Sequence, residues 1–216
     1  MLTELKDLLV LSVNIALISN MVFAKFLGLC PFIGVSRKTS SAVGMGMAVI
    51  FVMAMASAAT WLVHAYLLLP GDGNLIASLF HSEFVREHGL VNVLRTTSYI
   101  LVIAVLVQFV EMVMKKNAAG LYRVLGIYLP LITTNCCVLG IALLNTTDAP
   151  EKLTLLQATV QGAAGGVGFM IAMLLMSAIR ESLETVNVPK PMRDFPIALV
   201  CTGLIAMAFN AFAGMA

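Results

Sequence analysis

Charged residues are scarce in this chain. Asp, Glu, Lys and Arg together make up 11% of its 216 residues, whereas hydrophobic residues make up 60%. So little polar surface cannot cover a water-soluble globule of this length, which excludes an ordinary soluble domain. The longest runs without a charged residue are residues 39–71, 124–147, 153–179 and 195–216. Each run is long enough for the about 20 residues of a membrane-spanning helix, and we predict an integral membrane protein.

Two further apolar segments complete the predicted set of spans. Residues 8–36 are interrupted by Lys25, and residues 96–114 contain Glu111. The apolar runs are continuous and do not alternate, which favours six helices over a closed β-barrel. We therefore predict an all-α membrane protein of six transmembrane helices, forming a single membrane domain over residues 1–216. We read the first segment as a retained helix, because acidic residues precede it and no basic leader does.

Basic residues are unevenly distributed between the predicted connections. The connections after spans one, three and five hold eight Lys and Arg residues, and the other side holds four when Lys25 is set aside. This excess places the odd-numbered connections in the cytoplasm and both termini outside. Because the topology accounts for the basic residues, the net charge of +2 needs no nucleic-acid partner.

Motifs of substrate chemistry are absent as well. The sequence contains no P-loop, no dinucleotide-binding glycine motif and no hydrolase signature. Any substrate chemistry is therefore expected in other subunits. Cysteine is also missing from the predicted external loop, residues 70–98, where a disulfide would form. The four cysteines lie in apolar spans instead: Cys30, Cys136, Cys137 and Cys201.

A Cys-x-x-x-Gly pattern occurs once in each half of the chain. Aligning Cys30 with Cys136 also aligns Gly34 with Gly140. A second match, residues 42–46 with residues 164–168, opens the span that follows each cysteine-bearing one. These matches predict two inverted three-helix repeats, about residues 1–116 and 117–216. We expect the glycines of the second match to serve close helix packing.

Both cysteine-bearing spans contain helix-breaking features. Pro31 follows Cys30 directly, and Pro130 and the polar run Thr133 to Asn135 precede Cys136. Proline removes a backbone donor and obstructs the preceding turn, so we predict broken helices one and four near the two cysteines. Broken helices at mid-membrane are typical of binding sites.

Thiolates at membrane depth are candidate ligands for an iron–sulfur cluster, copper(I) or zinc. Successive helical residues point about 100° apart, so Cys136 and Cys137 do not share one site. The repeat selects Cys136 as the counterpart of Cys30 and leaves Cys137 and Cys201 to packing. Because a [2Fe–2S] cluster ordinarily takes four cysteines, a similar partner protein would supply two more. The alternative is that all four are buried, unreactive cysteines.

Several other polar residues lie at membrane depth with alternative roles. Lys25 either stabilises an anionic cluster or lines a polar path, or it extends to the interface. Glu111 is expected to pair with Lys115 or Lys116, with an ion-pathway role as the alternative. Asn135 either joins helices, as expected for Asn14 and Asn20, or donates to cluster sulfur.

Five segments carry a resemblance to a known family: FLGLCPFIGVS, LYRVLGIYLPLITTNCCVLGIALLN, AIRESL, VPKPMR and IALVCTGLIAMAF. With them the whole chain resembles the A-type membrane subunits of Rnf complexes. The related E-type subunits of sodium-pumping NADH:quinone oxidoreductases are similar in plan. Pro31 and the Gly34 to Ser36 run match the Rnf version better.

The resemblance implies a site and a role. In that family the intramembrane ligands correspond to Cys30 and Cys136, and an inverted pair with the homologous E subunit holds one [2Fe–2S] cluster. The complex, in the bacterial cytoplasmic membrane, moves electrons between ferredoxin and NAD and couples this to sodium or proton transport. The competing hypotheses are a secondary transporter with inert cysteines and a structural membrane anchor.

Overall fold

A computed structural model of the chain describes residues 2–63, 90–117, 131–132, 134–147, 154–186 and 189–213. Within these ranges the chain is helical and contains no β-strand. The helices are α1 (Leu2–Val13), α2 (Met21–Lys25), α3 (Leu29–Val35), α4 (Thr39–Val63), α5 (Leu90–Asn117), α6 (Cys136–Thr147), α7 (Leu155–Glu184) and α8 (Phe195–Ala213). A π-helical turn (Asn14–Ile18) extends α1, and a 3₁₀ turn (Lys190–Met192) precedes α8.

The apolar helices occupy the positions of the predicted spans. Two of them, α4 and α7, are long and apolar enough to cross a membrane on their own. Shorter apolar helical stretches cover Leu8–Ile18, Thr96–Phe109, Cys136–Asn145 and Phe195–Ala211. The six-helix count and the inverted repeat stay predictions. Most of the predicted external loop, residues 70–89, lies outside the described residues, as does Pro130.

The first predicted span is divided into several helical pieces. The π-helical turn ends at Ile18, where Asn20 begins α2 and its side chain accepts a hydrogen bond from the Val22 amide. A second interruption follows at residues 26–28, where Phe26 and Gly28 have positive φ angles of 53° and 81°. Pro31 is not the point of interruption. It lies in the first turn of α3, where a missing N–H is tolerated.

The helices α4 and α7 form the centre of the molecule. A Cβ atom on Gly166 would lie 2.6 Å from the Ile50 Cα atom, and one on Gly162 would lie 2.7 Å from the Met53 carbonyl oxygen. The two backbones therefore touch where only glycine fits, which confirms the packing role expected for Gly166 in the second sequence match. Gly44 of the same match has no atom within 4 Å of an added Cβ.

Buried side chains surround this crossing and form one hydrophobic core. Its largest members include Phe32, Met45, Met53, Phe169 and Met173, all fully buried. On α5, Tyr99, Ile103 and Val107 recur every fourth residue and face this core. The opposite side of α5 is also apolar but exposed. A surface of this kind fits lipid or a neighbouring protein but does not fit water.

Two adjacent residues near the end of α7 fix the turn between α3 and α4. Arg180 is buried, and its guanidinium donates to the Ile33 carbonyl at 2.6 Å and to the Ser36 hydroxyl at 3.0 Å. The Glu181 carboxylate accepts from the backbone N–H of Thr39 at 2.9 Å and from its hydroxyl at 2.7 Å. Arg180 thus satisfies one carbonyl near the end of α3, and Glu181 satisfies an amide at the start of α4.

Candidate functional site

The loop between α2 and α3 brings the two cysteine motifs into contact. The backbone N–H of Gly28 donates a hydrogen bond to the Cys136 sulfur, with 2.9 Å between nitrogen and sulfur. Gly28 stands two residues before Cys30, so the contact joins segments 108 residues apart in the sequence. The two cysteines that the repeat pattern selected therefore belong to one neighbourhood of the folded chain.

Gly28 occupies a position that only glycine fits. Its φ angle of 81° lies in the left-handed region, which costs other residues roughly 1–2 kcal/mol. An added Cβ would also lie 2.9 Å from Phe169 Cε2 and 3.1 Å from both Asn135 Oδ1 and Cys137 Cβ. The absence of a side chain at Gly28 lets the first motif lie directly on the start of α6.

The four cysteines differ in their surroundings. Cys30, the second residue of α3, is exposed, and Cys136, the first residue of α6, is partly buried. Cys137 is fully buried in the hydrophobic core, and Cys201 packs against that core. Of the adjacent pair, Cys136 is the thiol that lies next to the first motif, whereas Cys137 points into the protein.

Asn135 caps α6 beside Cys136. Its Oδ1 atom accepts a hydrogen bond from the Cys137 amide at 3.0 Å, as an N-cap residue does. Its Nδ2 atom is buried and has no hydrogen-bond partner among the described residues. A buried amide donor without an acceptor is costly, and an acceptor bound beside Cys136 would remove that cost.

The other polar residues for which the sequence suggested a role have different surroundings. Lys25 is exposed in the last turn of α2, and Glu111 is partly buried on α5. The side chain of Lys115 is outside the described part and that of Lys116 is exposed, and the predicted ion pair of Glu111 with Lys115 or Lys116 stays a prediction. Asn20 does join helices, because its Nδ2 atom donates to the Gly168 carbonyl at 2.9 Å. The joining role predicted for Asn20 is thereby confirmed.

Gly28 and the Arg180–Glu181 pair were not predicted from the sequence as structural determinants. A signal for Gly28 was present, because Leu-Gly-Leu-Cys places a glycine just before a cysteine in an apolar span. No group of three or more His, Cys, Asp or Glu side chains suited to a metal ion occurs among the described residues. Cys30 and Cys136 are thus the candidate ligands that this part of the chain offers.

The broken apolar helices, the exposed apolar faces and the paired cysteine motifs are those of a helical membrane protein with a candidate site at an interrupted helix. A family model described as "Rnf-Nqr subunit, membrane protein" matches residues 8–216. The chain therefore belongs to the Rnf-Nqr family of membrane subunits.

Relatives with a more specific description cover almost the whole chain. The A-type component of the ion-translocating oxidoreductase complex of Shewanella oneidensis is 46% identical over 211 residues, which is 98% of this chain and 99% of the relative. Proteins of the same description from Serratia proteamaculans and Proteus mirabilis are each 47% identical over 209 residues, covering 97% of each chain. These similarities confirm the A-type resemblance that the sequence motifs carried.

Proposed function

We propose that this chain is a membrane subunit of an electron-transport complex that links ferredoxin and NAD to sodium or proton translocation. Its part is to supply Cys30 and Cys136 as two ligands of a [2Fe–2S] cluster within the bilayer. The homologous E subunit, in inverted orientation, supplies the other two. The observation that carries the proposal is the hydrogen bond from the Gly28 amide to the Cys136 sulfur, which draws both motifs together.

The chemistry of the surrounding groups fits half of such a cluster. Thiolates are the ligands that iron–sulfur clusters take, and N–H donors beside their sulfurs stabilise the added negative charge. The Gly28 amide is one such donor, and the buried Nδ2 atom of Asn135 is a second that still needs an acceptor. The start of α6 also favours negative charge at Cys136 through the helix dipole.

The exposure of Cys30 fits a shared site. Cys30 is exposed at the surface of its own chain. The coordination of a cluster bound at such a cysteine can be completed only by ligands from a second polypeptide. When bound, the cluster would supply a one-electron relay between centres on the two sides of the about 30 Å hydrocarbon core. Both termini would lie outside, with the Arg180 end of α7 in the cytoplasm of a bacterial cell.

We expect electron transfer to be coupled to ion transport by the electrostatic effect of a charge in a medium of low dielectric. One negative charge added between Cys30 and Cys136 acts strongly on nearby groups, because the field is weakly screened there. The closest irregular backbone is the interruption at residues 26–28, where Phe26 and Gly28 hold positive φ angles. We expect this loop to respond to the redox state and to change access for the ion.

The experiment is iron analysis and visible absorption of the chain purified with and without its E partner. We expect a brown chromophore with two irons only in the pair. Cys30→Ala and Cys136→Ala should each abolish it, whereas Cys137→Ala and Cys201→Ala should retain it. A chromophore that survives loss of Cys30 or Cys136, or that needs all four cysteines in the isolated chain, contradicts the proposal.

A further inference from the structure

A layer of polar side chains lies where α4, α6 and α7 meet. Ser57, Asn145 and Gln161 are exposed by only 1%, 2% and 5% in an otherwise apolar core. The Ser57 hydroxyl donates to the Ala158 carbonyl at 2.6 Å, and the Asn145 Nδ2 atom is hydrogen-bonded to the Ser57 oxygen. Three helices are therefore linked through one buried serine.

These hydrogen bonds determine which atom of Asn145 remains free. A serine hydroxyl has one hydrogen, and that of Ser57 is directed at the Ala158 carbonyl, which can only accept. Ser57 must therefore accept from Asn145, and the amide group of Asn145 that faces it is the NH₂. The Asn145 Oδ1 atom is left buried without a partner among the described residues, and so is the Gln161 Oε1 atom.

The register of α6 against α7 brings these two oxygens into the same layer. Ile141 contacts Gly165, since a Cβ there would lie 2.7 Å from Ile141 Cδ1. Asn145, which follows Ile141 on α6, is linked through Ser57 to Ala158, which precedes Gly165 on α7. The two helices therefore run antiparallel. One turn after Ile141 is Asn145, and one turn before Gly165 is Gln161. The register therefore places Asn145 and Gln161 at the same level of the α6–α7 contact.

The free atoms at this layer are neutral, hard oxygen donors. Besides the two amide oxygens they include the remaining lone pairs of the Ser57 and Thr60 hydroxyls, both buried on the same face of α4. Buried amide oxygens without a partner are unfavourable, because they lose the hydrogen bonds that water would give them. Oxygens of this kind bind alkali cations in membrane proteins, whereas a divalent ion would call for carboxylates.

We propose that the layer formed by Ser57, Thr60, Asn145 and Gln161 binds a monovalent alkali cation of sodium size. Asn145 stands nine residues after Cys136 on α6, which is roughly 13 Å along the helix axis. A negative charge at Cys136 would strengthen cation binding at that distance in a medium of low dielectric. The cation site itself does not depend on the proposed cluster.

The test uses the purified complex that contains the full chain, equilibrated in choline chloride. Radiolabelled sodium binding and the thermal unfolding midpoint are followed during titration with NaCl, with choline chloride at equal ionic strength as the reference. We expect the midpoint to rise with sodium but not with choline. Asn145→Leu and Gln161→Leu should each lose one equivalent of bound sodium, or bind it at least about tenfold more weakly.

Two further variants make the result decisive. Asn145→Asp keeps the shape and adds a negative charge, so it should bind sodium more tightly than the wild type, even where the leucine variants fail to assemble. Asn210→Leu replaces an exposed asparagine on α8 and should bind sodium as the wild type does. If Asn145→Asp and the wild type bind sodium with equal stoichiometry and affinity, the layer holds only water and the proposal is wrong.

Discussion

At the scale of single residues, Gly28 decides whether the two cysteine motifs meet. Its amide donates a hydrogen bond to the Cys136 sulfur, its φ angle is left-handed, and a Cβ added to it would lie 2.9 Å from Phe169 Cε2. These three properties come from one residue that carries no functional group. We therefore expect the candidate site to be sensitive to a methyl group at position 28.

Gly28→Ala is expected to destabilise the site. The left-handed backbone costs an alanine roughly 1 kcal/mol or more, and its Cβ would lie 2.9 Å from Phe169 Cε2. We expect a lower thermal unfolding midpoint and little or no bound iron in the purified pair. Gly44→Ala is the matched control, because nothing lies within 4 Å of its added Cβ and alanine favours helix. Equal behaviour of both variants would show that position 28 is not constrained.

Asn135→Ser tests the role of the buried amide donor. Serine keeps an oxygen that can cap α6, but it removes the Nδ2 donor next to Cys136. If that donor stabilises the reduced cluster, the midpoint potential should become more negative while the thermal unfolding midpoint changes little. A potential identical to that of the wild type, measured by redox titration of the pair, would mean that the Asn135 Nδ2 atom has another acceptor.

At the scale of helices, the spatial arrangement of the helices depends on contacts that fix their ends. Arg180 and Glu181 on α7 hold the end of α3 and the start of α4, and glycines bring α4 and α7 into backbone contact. The α3 helix has only 7 residues, too short to be stable by itself. Its position, and with it that of Cys30, is set by these neighbours.

Arg180→Leu is expected to loosen this arrangement. It leaves the Ile33 carbonyl and the Ser36 hydroxyl without their charged donor, which costs about 1–3 kcal/mol. Thermal unfolding of the complex in detergent should begin at a lower temperature than in the wild type. Arg193→Leu, at an exposed arginine, should change the free energy of unfolding by no more than about 0.5 kcal/mol. A similar loss in both would assign the effect to net charge instead of the Arg180 contacts.

The helices were predictable from the sequence where composition alone defines them. Long runs without a charged residue predicted α4 and α7, and the polar residues before Cys136 indicated the start of α6. Pro31 indicated a broken helix near Cys30 but did not indicate where the helix is interrupted. The interruption depends on the left-handed backbone conformations of Phe26 and Gly28. Ser57, Asn145 and Gln161 carried no local signal, since their proximity results from the packing of three helices.

At the scale of the whole molecule, the surface is that of one component within a membrane complex. Large apolar side chains are exposed on several helices, among them Val10 on α1, Phe51 on α4, Leu101 and Phe109 on α5, and Leu204 on α8. Cys30 is exposed as well. We propose that a partner of similar form covers part of this surface and completes a site for which this chain supplies two of four ligands.

The most direct test of this account is an experimental structure of the complex that resolves the surroundings of Cys30 and Cys136. We predict density for a two-iron cluster, with both sulfur atoms about 2.3 Å from iron, as is typical of thiolate–metal bonds. Two cysteines of the homologous partner should complete the coordination. Density that shows the two thiols far apart, or Cys30 facing lipid with no partner polypeptide beside it, would contradict the account.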